Sequence, residues 1–270
     1  MKSIRPIILL PFIPRWPNLE NLDKNLVRSR FRRSVESYDH AAEVQRLMAE
    51  ELLELFQLAT GERDFPRILE LGCGSGILTD RIEQSFDYGK LYLLDLVEEW
   101  SRFHRNRERA EFIAGDVERI PLPGSLDLIL SNAVIQWMSD LPALLKKLAG
   151  ALNPGGLLAV TTFGPENLYE IADLTGSGLR YLDPGRLQQL FSREFDLIGF
   201  RQELLKPRFD TPLAVLKHLK ATGVTATGGP LRWTRKRLEE FSAGYRRFQL
   251  GNGKFPLTYH PITLIARKKA

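Results

Sequence analysis

Three glycines at alternate positions, in Glu70-Leu71-Gly72-Cys73-Gly74-Ser75-Gly76, are the residues of this chain best spaced to hold a ligand. They follow the apolar run Arg67 to Leu71, which reads as a strand, and precede the helical stretch Ile77 to Phe86. Glycine lets the backbone turn sharply and approach a ligand where any Cβ would collide, and the following helix N-terminus presents unpaired amides. A bare strand-to-helix turn would use the same triplet. Dinucleotide sites place the third glycine one position later to clear a pyrophosphate. The tighter spacing here favours a ligand without phosphates. About 20 residues on, Asp95 ends a second apolar run, where a carboxylate accepts hydrogen bonds from both ribose hydroxyls. Asp116 ends a third, placed to accept from an adenine amine. Either aspartate alone is as readily a turn former or helix cap, but three such sites at successive strand ends line one crevice.

The elements that must position these groups follow from periodicity. From Ala41 to Ala59, apolar residues recur three or four apart, Val44, Leu47, Met48, Leu52, Leu53 and Phe56, and describe one stripe of an amphipathic helix. Strands are expected over Lys90 to Leu94, Glu111 to Ala114, Ser125 to Leu130 (running into Ser131-Asn132) and Leu157 to Phe163. A helix from Leu141 to Leu152 stops at Asn153-Pro154-Gly155-Gly156, where helix-ending and turn residues are stacked together. Strands alternating with helices at this spacing imply parallel βαβ units with right-handed crossovers and helices on both faces, a doubly wound α/β sheet. Beyond Phe163 the order loosens. Helices are expected over Glu166 to Leu174, from Asp183-Pro184 through Phe191, over Thr211 to Lys220 and over Thr234 to Phe248, with strands over Asp196 to Phe209 and Pro256 to Lys268.

Composition narrows the class. At 270 residues with 43% hydrophobic content, the chain can bury one substantial core with a modest insertion. The single cysteine, Cys73, has no intramolecular partner, and no Cys/His clusters show zinc-ligand spacing, so a reducing cytoplasm and no metal are expected. Ile7 to Ile13 is apolar after Lys2 and Arg5, but prolines interrupt it and no small-residue cleavage site follows, which argues against secretion. No run is long enough to cross a bilayer. The net charge of +5 permits an acidic partner without choosing one. His40, His104, His218 and His260 are scattered, which suits surface or packing roles, and Tyr259 is as readily a core aromatic as a site residue.

The motifs Glu70 to Gly76, Asp95, Gly115-Asp116 and Asn153 to Gly156 resemble those of class I methyltransferases over Arg67 to Phe163. Outside that core, Phe31 to Gln45, Ser131-Asn132 with Gln136-Trp137, Leu216 to Gly223 and Gly253 to His260 resemble the malonyl-acyl-carrier-protein O-methyltransferases of biotin synthesis. Gln136-Trp137 is shared with small-acid methyltransferases of the trans-aconitate type; the late segments favour the malonyl family. Two departures are the N-terminal arm and Val97, where that family often has serine.

The resemblance implies a Rossmann-like, mostly parallel seven-stranded sheet. It also implies an arm over 1–23, a helical lid over 24–60, and a methyltransferase domain over 61–270 with cap insertions around 164–182 and 210–250. S-adenosylmethionine is the implied cofactor. Gly72, Gly74 and Gly76 would hold its methionine portion, Asp95 its ribose, and Asp116 with Val117 its adenine, with Leu96 and Glu118 also in the cofactor site. Tyr38 and Gln45 would lid it, and Ser131 and Asn132 would complete the wall. Tyr38, Gln136 and Trp137 would position methyl donor and acceptor, with no side-chain acid or base required. The implied partner is malonyl-acyl carrier protein, acting on a cytoplasmic monomer with no nucleic acid or membrane. An acidic carrier would dock on some of Arg28 to Arg33, Lys206-Pro207-Arg208, Lys217 to Lys220 and Arg232 to Arg237. Methylation of a small free acid, cofactor binding without turnover, and an NAD-dependent oxidoreductase disfavoured by the glycine spacing are the alternatives.

Overall fold

Apolar residues alternate across the central strands and divide the core between two faces of one sheet. A computed structural model describes residues 23–223 and 233–269. The expected arm, except Asp23, and residues 224–232 of the expected cap lie outside the described residues. Strands β1 (Asp64–Leu71), β2 (Asp87–Asp95), β3 (Ala110–Ala114), β4 (Leu126–Asn132), β5 (Leu152–Phe163), β6 (Phe195–Gln202) and β9 (Pro261–Lys268) form a seven-stranded sheet in the order β3-β2-β1-β4-β5-β9-β6. The first five are parallel; β9 lies antiparallel between β5 and β6.

Ile68, Leu128, Leu130 and Ala159 pack against α3 (Glu43–Thr60) and α4 (Ile77–Ser85). Their neighbours Leu69, Ile129, Leu158 and Val160 face the other way, toward α5 (Leu141–Ala151) and α7 (Pro184–Phe191). Truncating any of these leucines or isoleucines to alanine removes about 2–5 kcal/mol of stability. Asp140 and Asp183 cap α5 and α7, each accepting backbone N–H bonds beside a proline at the first turn.

Ahead of the sheet, α1 (Lys24–Ser34) and α2 (Tyr38–Ala41) lead into α3. After it, α6 (Tyr169–Thr175), α8 (Pro212–Ala221) and α9 (Arg235–Tyr245) gather with β7 (Arg208–Phe209) and β8 (Phe255–Pro256) around a separate cluster that includes Val215, Phe241, Tyr245 and Tyr259.

Four expectations shift. Strand β5 starts at Leu152, directly after α5, because Leu152 pairs with Leu126 and Leu157 with Leu128. Residues Asn153 to Gly156 bulge between those pairs, with Gly155 at φ +74°. Helix α6 begins at Tyr169, because Leu168 sits at φ +55° and cannot continue a helix backwards. The run Asp196 to Phe209 breaks after Gln202, and Pro256 to Lys268 breaks over Leu257 to His260. There Leu257 N and Tyr259 N donate to Pro207 O and Leu205 O, at 3.0 and 2.8 Å, forming a second ribbon off the main sheet.

Candidate active site

The order of strand addition reverses between the parallel neighbours β1 and β4, and a crevice opens beyond their carboxyl ends, the usual ligand position in an open α/β sheet. The glycine loop leaves β1 into this crevice. Gly72, at φ +69°, donates its N–H to Leu94 O at 2.7 Å; a Cβ there would stand 2.2 Å from Val134 Cγ2, in the loop after β4. Gly74, at φ +50°, would point a Cβ into empty space and lines the cavity. Both glycines line the cavity, but a side chain at Gly72 is barred by close packing, whereas one at Gly74 would occupy open space. Gly76 caps α4 and does not line the cavity: its missing Cβ faces Arg107 and His104, at 3.1 and 3.4 Å.

Asp95 is buried at the end of β2. Its Oδ2 accepts from Gly74 N at 3.0 Å and its Oδ1 from Val97 N at 2.8 Å, so one carboxylate joins the glycine loop to the next turn. Burial raises its pKa to about 6, against the opposing pull of the Val97 and Gly74 amides.

Around these groups lies a cavity of about 780 Å³, its mouth included. Leu96, Val117 and Trp100 give it apolar walls, and Asp116 stands at its far end. Tyr38 and Asn132 line it on the glycine side and also border a small recess of about 270 Å³ with Gln45. Burial, then the nearby Asp95, pushes the Tyr38 phenol well above its ordinary value, so it stays protonated and able to donate. Asn132 is locked: its Nδ2 donates to Gln45 O at 2.9 Å, and its Oδ1 accepts from Thr161 Oγ1 at 2.6 Å. Ala133 follows at φ +57°, its N–H held by Thr161 Oγ1 at 2.9 Å.

The remaining expected residues divide. Trp137 lines the main cavity, where its ring meets Phe31 edge-on at 5.5 Å. Gln136 lines a neighbouring cavity instead; its Nε2 donates to Ala133 O at 2.7 Å, and its Oε1 accepts from Thr162 Oγ1 at 3.2 Å. Glu118 lines a neighbouring opening beside Asp116. Ser131 is fully buried against Leu71 O and reaches neither cavity.

Several wall residues escaped sequence reasoning. Lys24, Val27 and Phe31 bring α1 across the main cavity. Asp23 as an N-cap followed by an apolar pair four apart was the available signal, obscured by the arginines between. His104 is buried, and its Nε2 faces Gly74 O at 2.9 Å, bracing the glycine loop from behind; burial lowers its pKa and keeps it neutral. Glu70 is also buried, accepting from Thr79 Oγ1 at 2.6 Å, and burial raises its pKa to about 8. His218 Nε2 meets the Tyr259 hydroxyl at 2.7 Å inside the second cluster.

A family model described as a methyltransferase domain matches residues 69–160. The malonyl-acyl-carrier-protein O-methyltransferase of Acinetobacter baylyi is 41% identical over 92% of this chain and 98% of its own length. This chain belongs to the malonyl-acyl-carrier-protein O-methyltransferase family. A further member, from Haemophilus influenzae, is 35% identical over 93% of this chain and 96% of its own. Among solved structures, a methyltransferase-like protein of Bacillus halodurans superposes with TM-score 0.61 at 15% identity, over 82% of this chain and all of that one. The phosphoethanolamine N-methyltransferase 2 of Haemonchus contortus, solved with S-adenosyl-L-methionine, gives 0.56 at 16% identity, over 93% of this chain and 60% of that one. These two likenesses establish the class I methyltransferase fold. Among the described residues, no helix is long and apolar enough to cross a membrane.

Proposed function

We propose that this enzyme transfers the methyl group of S-adenosylmethionine to the free carboxylate of malonyl-acyl carrier protein, an early step toward the pimeloyl moiety of biotin. The observation that carries the reading is family likeness along nearly the whole chain, cap segments included, rather than over the cofactor-binding strands alone.

The residues present fit the cofactor. Gly74 leaves room where a Cβ would intrude, and Asp95 offers a buried carboxylate whose known partners are two backbone amides, leaving acceptor capacity for ribose hydroxyls. Leu96, Val97 and Val117 suit an adenine ring, with Asp116 at its amine edge. Tyr38, Gln45 and Asn132 border the recess for the methionine end. When bound, the sulfonium supplies an electrophilic methyl carbon.

The chain's own task is positioning. A malonyl carboxylate is already ionised at neutral pH, so no general base is needed to make it a nucleophile. The network Gln45–Asn132–Thr161–Ala133–Gln136 fixes the β4 exit against β5, holding the wall of the main cavity rigid. Tyr38 and Trp137, packed on either side of Phe31, exclude water from the reacting groups. Alignment and desolvation of the carboxylate then supply the rate enhancement. Gln136 faces the acceptor from the adjoining cavity. The reading extends to a monomer in the cytoplasm.

The test is substrate competition. The enzyme is expected to methylate malonyl-carrier protein with kcat/KM at least about a hundredfold above that for free malonate or trans-aconitate. Equal or better turnover of a free acid would move the assignment to the small-acid methyltransferases.

A further inference from the structure

Beside the cofactor cavity lies a second one of about 840 Å³, its mouth included. The single turn Ile135–Trp137 divides the two: Trp137 lines the first, Gln136 the second, and Met138 both. Its floor is buried and mostly apolar, made by Ile135, Leu187 and Leu190 with the Thr162 hydroxyl, and Tyr181 and Gln136 add polar groups along the wall. The volume is that of a site for a small ligand.

Its mouth is cationic. Arg180 and Arg186 both line it and both are exposed. Among the described residues, Arg180 has no hydrogen-bond or ion-pair partner, and the guanidinium of Arg186 makes one long bond, to Gln189 Oε1 at 3.3 Å. No aspartate or glutamate lines the cavity. The nearest acid in sequence, Asp183, spends its Oδ1 capping α7 through Gly185 N and Arg186 N. Two unneutralised guanidinium forks over an apolar channel match a ligand with an anionic group at the surface and an uncharged chain leading inward.

We infer that this second cavity is the channel for the phosphopantetheine arm of the acyl thioester, with Arg180 and Arg186 holding the phosphodiester at its mouth. The inference rests on the functional reading above. The phosphate stays where the arm leaves the carrier, at the exposed arginines, while the amide and thioester stretch lies over Ile135, Leu187 and Leu190. The malonyl end reaches Gln136 and Met138, where the two cavities meet. This mouth is separate from the expected basic rim. Of the clusters expected to receive the carrier, Lys206, Arg208, Lys217, Lys220, Arg235 and Arg237 line neither cavity nor the opening beside Asp116; Arg28 lines that opening, and Arg232 lies outside the described residues.

The test uses the full chain and three malonyl thioesters: of acyl carrier protein, of free phosphopantetheine, and of pantetheine, which lacks the phosphate. Wild type and Arg180→Ala/Arg186→Ala are compared by kcat/KM, with S-adenosylmethionine affinity by calorimetry as the check on folding. The expected result is a loss of about tenfold or more, mostly in KM, on both phosphate-bearing thioesters relative to the pantetheine thioester. An equal loss on all three would assign the arginines to the malonyl carboxylate or to structure. A loss on the carrier alone would assign them to the carrier's acidic surface. Either result, or no loss at all, overturns the inference while leaving the functional reading intact. A wild-type enzyme that methylates none of the three overturns both.

Discussion

The Lys24 ammonium donates to Asp116 Oδ1 at 2.5 Å and also pairs with Glu118, pinning α1 to the loop after β3. Burial opposes ionisation of Glu118, yet the bonds from Lys24, Asp140 N and Ser139 N hold its carboxyl below the ordinary range. Val27 and Phe31 on the same helix line the main cavity, so the latch is expected to slow exchange of the cofactor. A partly buried charge-assisted contact contributes about 1–2 kcal/mol. Lys24→Ala is therefore expected to speed release of S-adenosylhomocysteine by about tenfold, read by stopped-flow fluorescence of the nearby tryptophans. An unchanged release rate would show that α1 does not gate the site.

Asp95 makes cofactor binding sensitive to acid. Its folded pKa, raised to about 6 by burial, lies above the unfolded value near 3.9. The carboxyl therefore takes up its proton sooner in the folded chain, so its ionisation costs the cofactor-free fold stability in full above about pH 6, and that cost is relieved as pH falls from about 6 to about 3.9. Ribose hydroxyls donate to the ionised form, so affinity for S-adenosylmethionine should fall roughly tenfold per pH unit below 6, with one proton released on binding. Calorimetry at pH 5 in buffers of different ionisation enthalpy measures that proton. Asp95→Asn should weaken binding and abolish the pH dependence over this window; a variant that keeps the slope would assign it to another group.

The glycine loop separates stability from affinity. Gly72→Ala forces a Cβ to 2.2 Å from Val134 Cγ2 at a left-handed φ, and is expected to cost about 1–3 kcal/mol of stability. Gly74→Val meets no protein atom at its Cβ but fills space in the cavity, and should cost cofactor affinity beyond the backbone strain that a left-handed φ imposes at both positions. Thermal melts and calorimetry on both variants would show the contrast; equal behaviour in both measurements would contradict it.

Cys73 stands within the loop yet is buried, and burial followed by the charge of Asp95 pushes its thiol well above the ordinary value. A protonated, enclosed thiol is a poor nucleophile. Cys73→Ala should retain most activity, and wild-type turnover should resist iodoacetamide. Rapid inactivation by the alkylator would reveal an accessible thiolate.

The sheet and the positions of Gly72, Gly74 and Asp95 at its strand ends were legible because their signals are local. A strand running into Gly72, or ending at Asp95, carries its meaning in a few adjacent residues. The cap was not legible in the same way. Pro256 to Lys268 looks like one strand, but only Pro261 onward pairs with β5; Leu257 and Tyr259 are claimed by Pro207 and Leu205, partners about 50 residues away. Lys24 carries no motif, and its pairing with Asp116 spans 92 positions. Gly76 shows the opposite case: the motif includes it with the ligand-facing glycines, whereas its small size is required by Arg107 and His104. The acceptor cavity draws on the β4 exit, β5 and the segment ahead of α7, so its cationic mouth follows from packing rather than from any run of charge.

The central claim is carboxyl methylation of a carrier-bound malonyl group, and incubation with methyl-labelled S-adenosylmethionine and malonyl-carrier protein tests it most directly. The account predicts label on the carrier in a mass shift of one methyl group, recovered as volatile methanol after full saponification, and none on carrier bearing an acetyl group, which lacks the free carboxylate. Label that stays in a non-volatile acid after saponification, or that appears equally on acetyl-carrier protein, would contradict it.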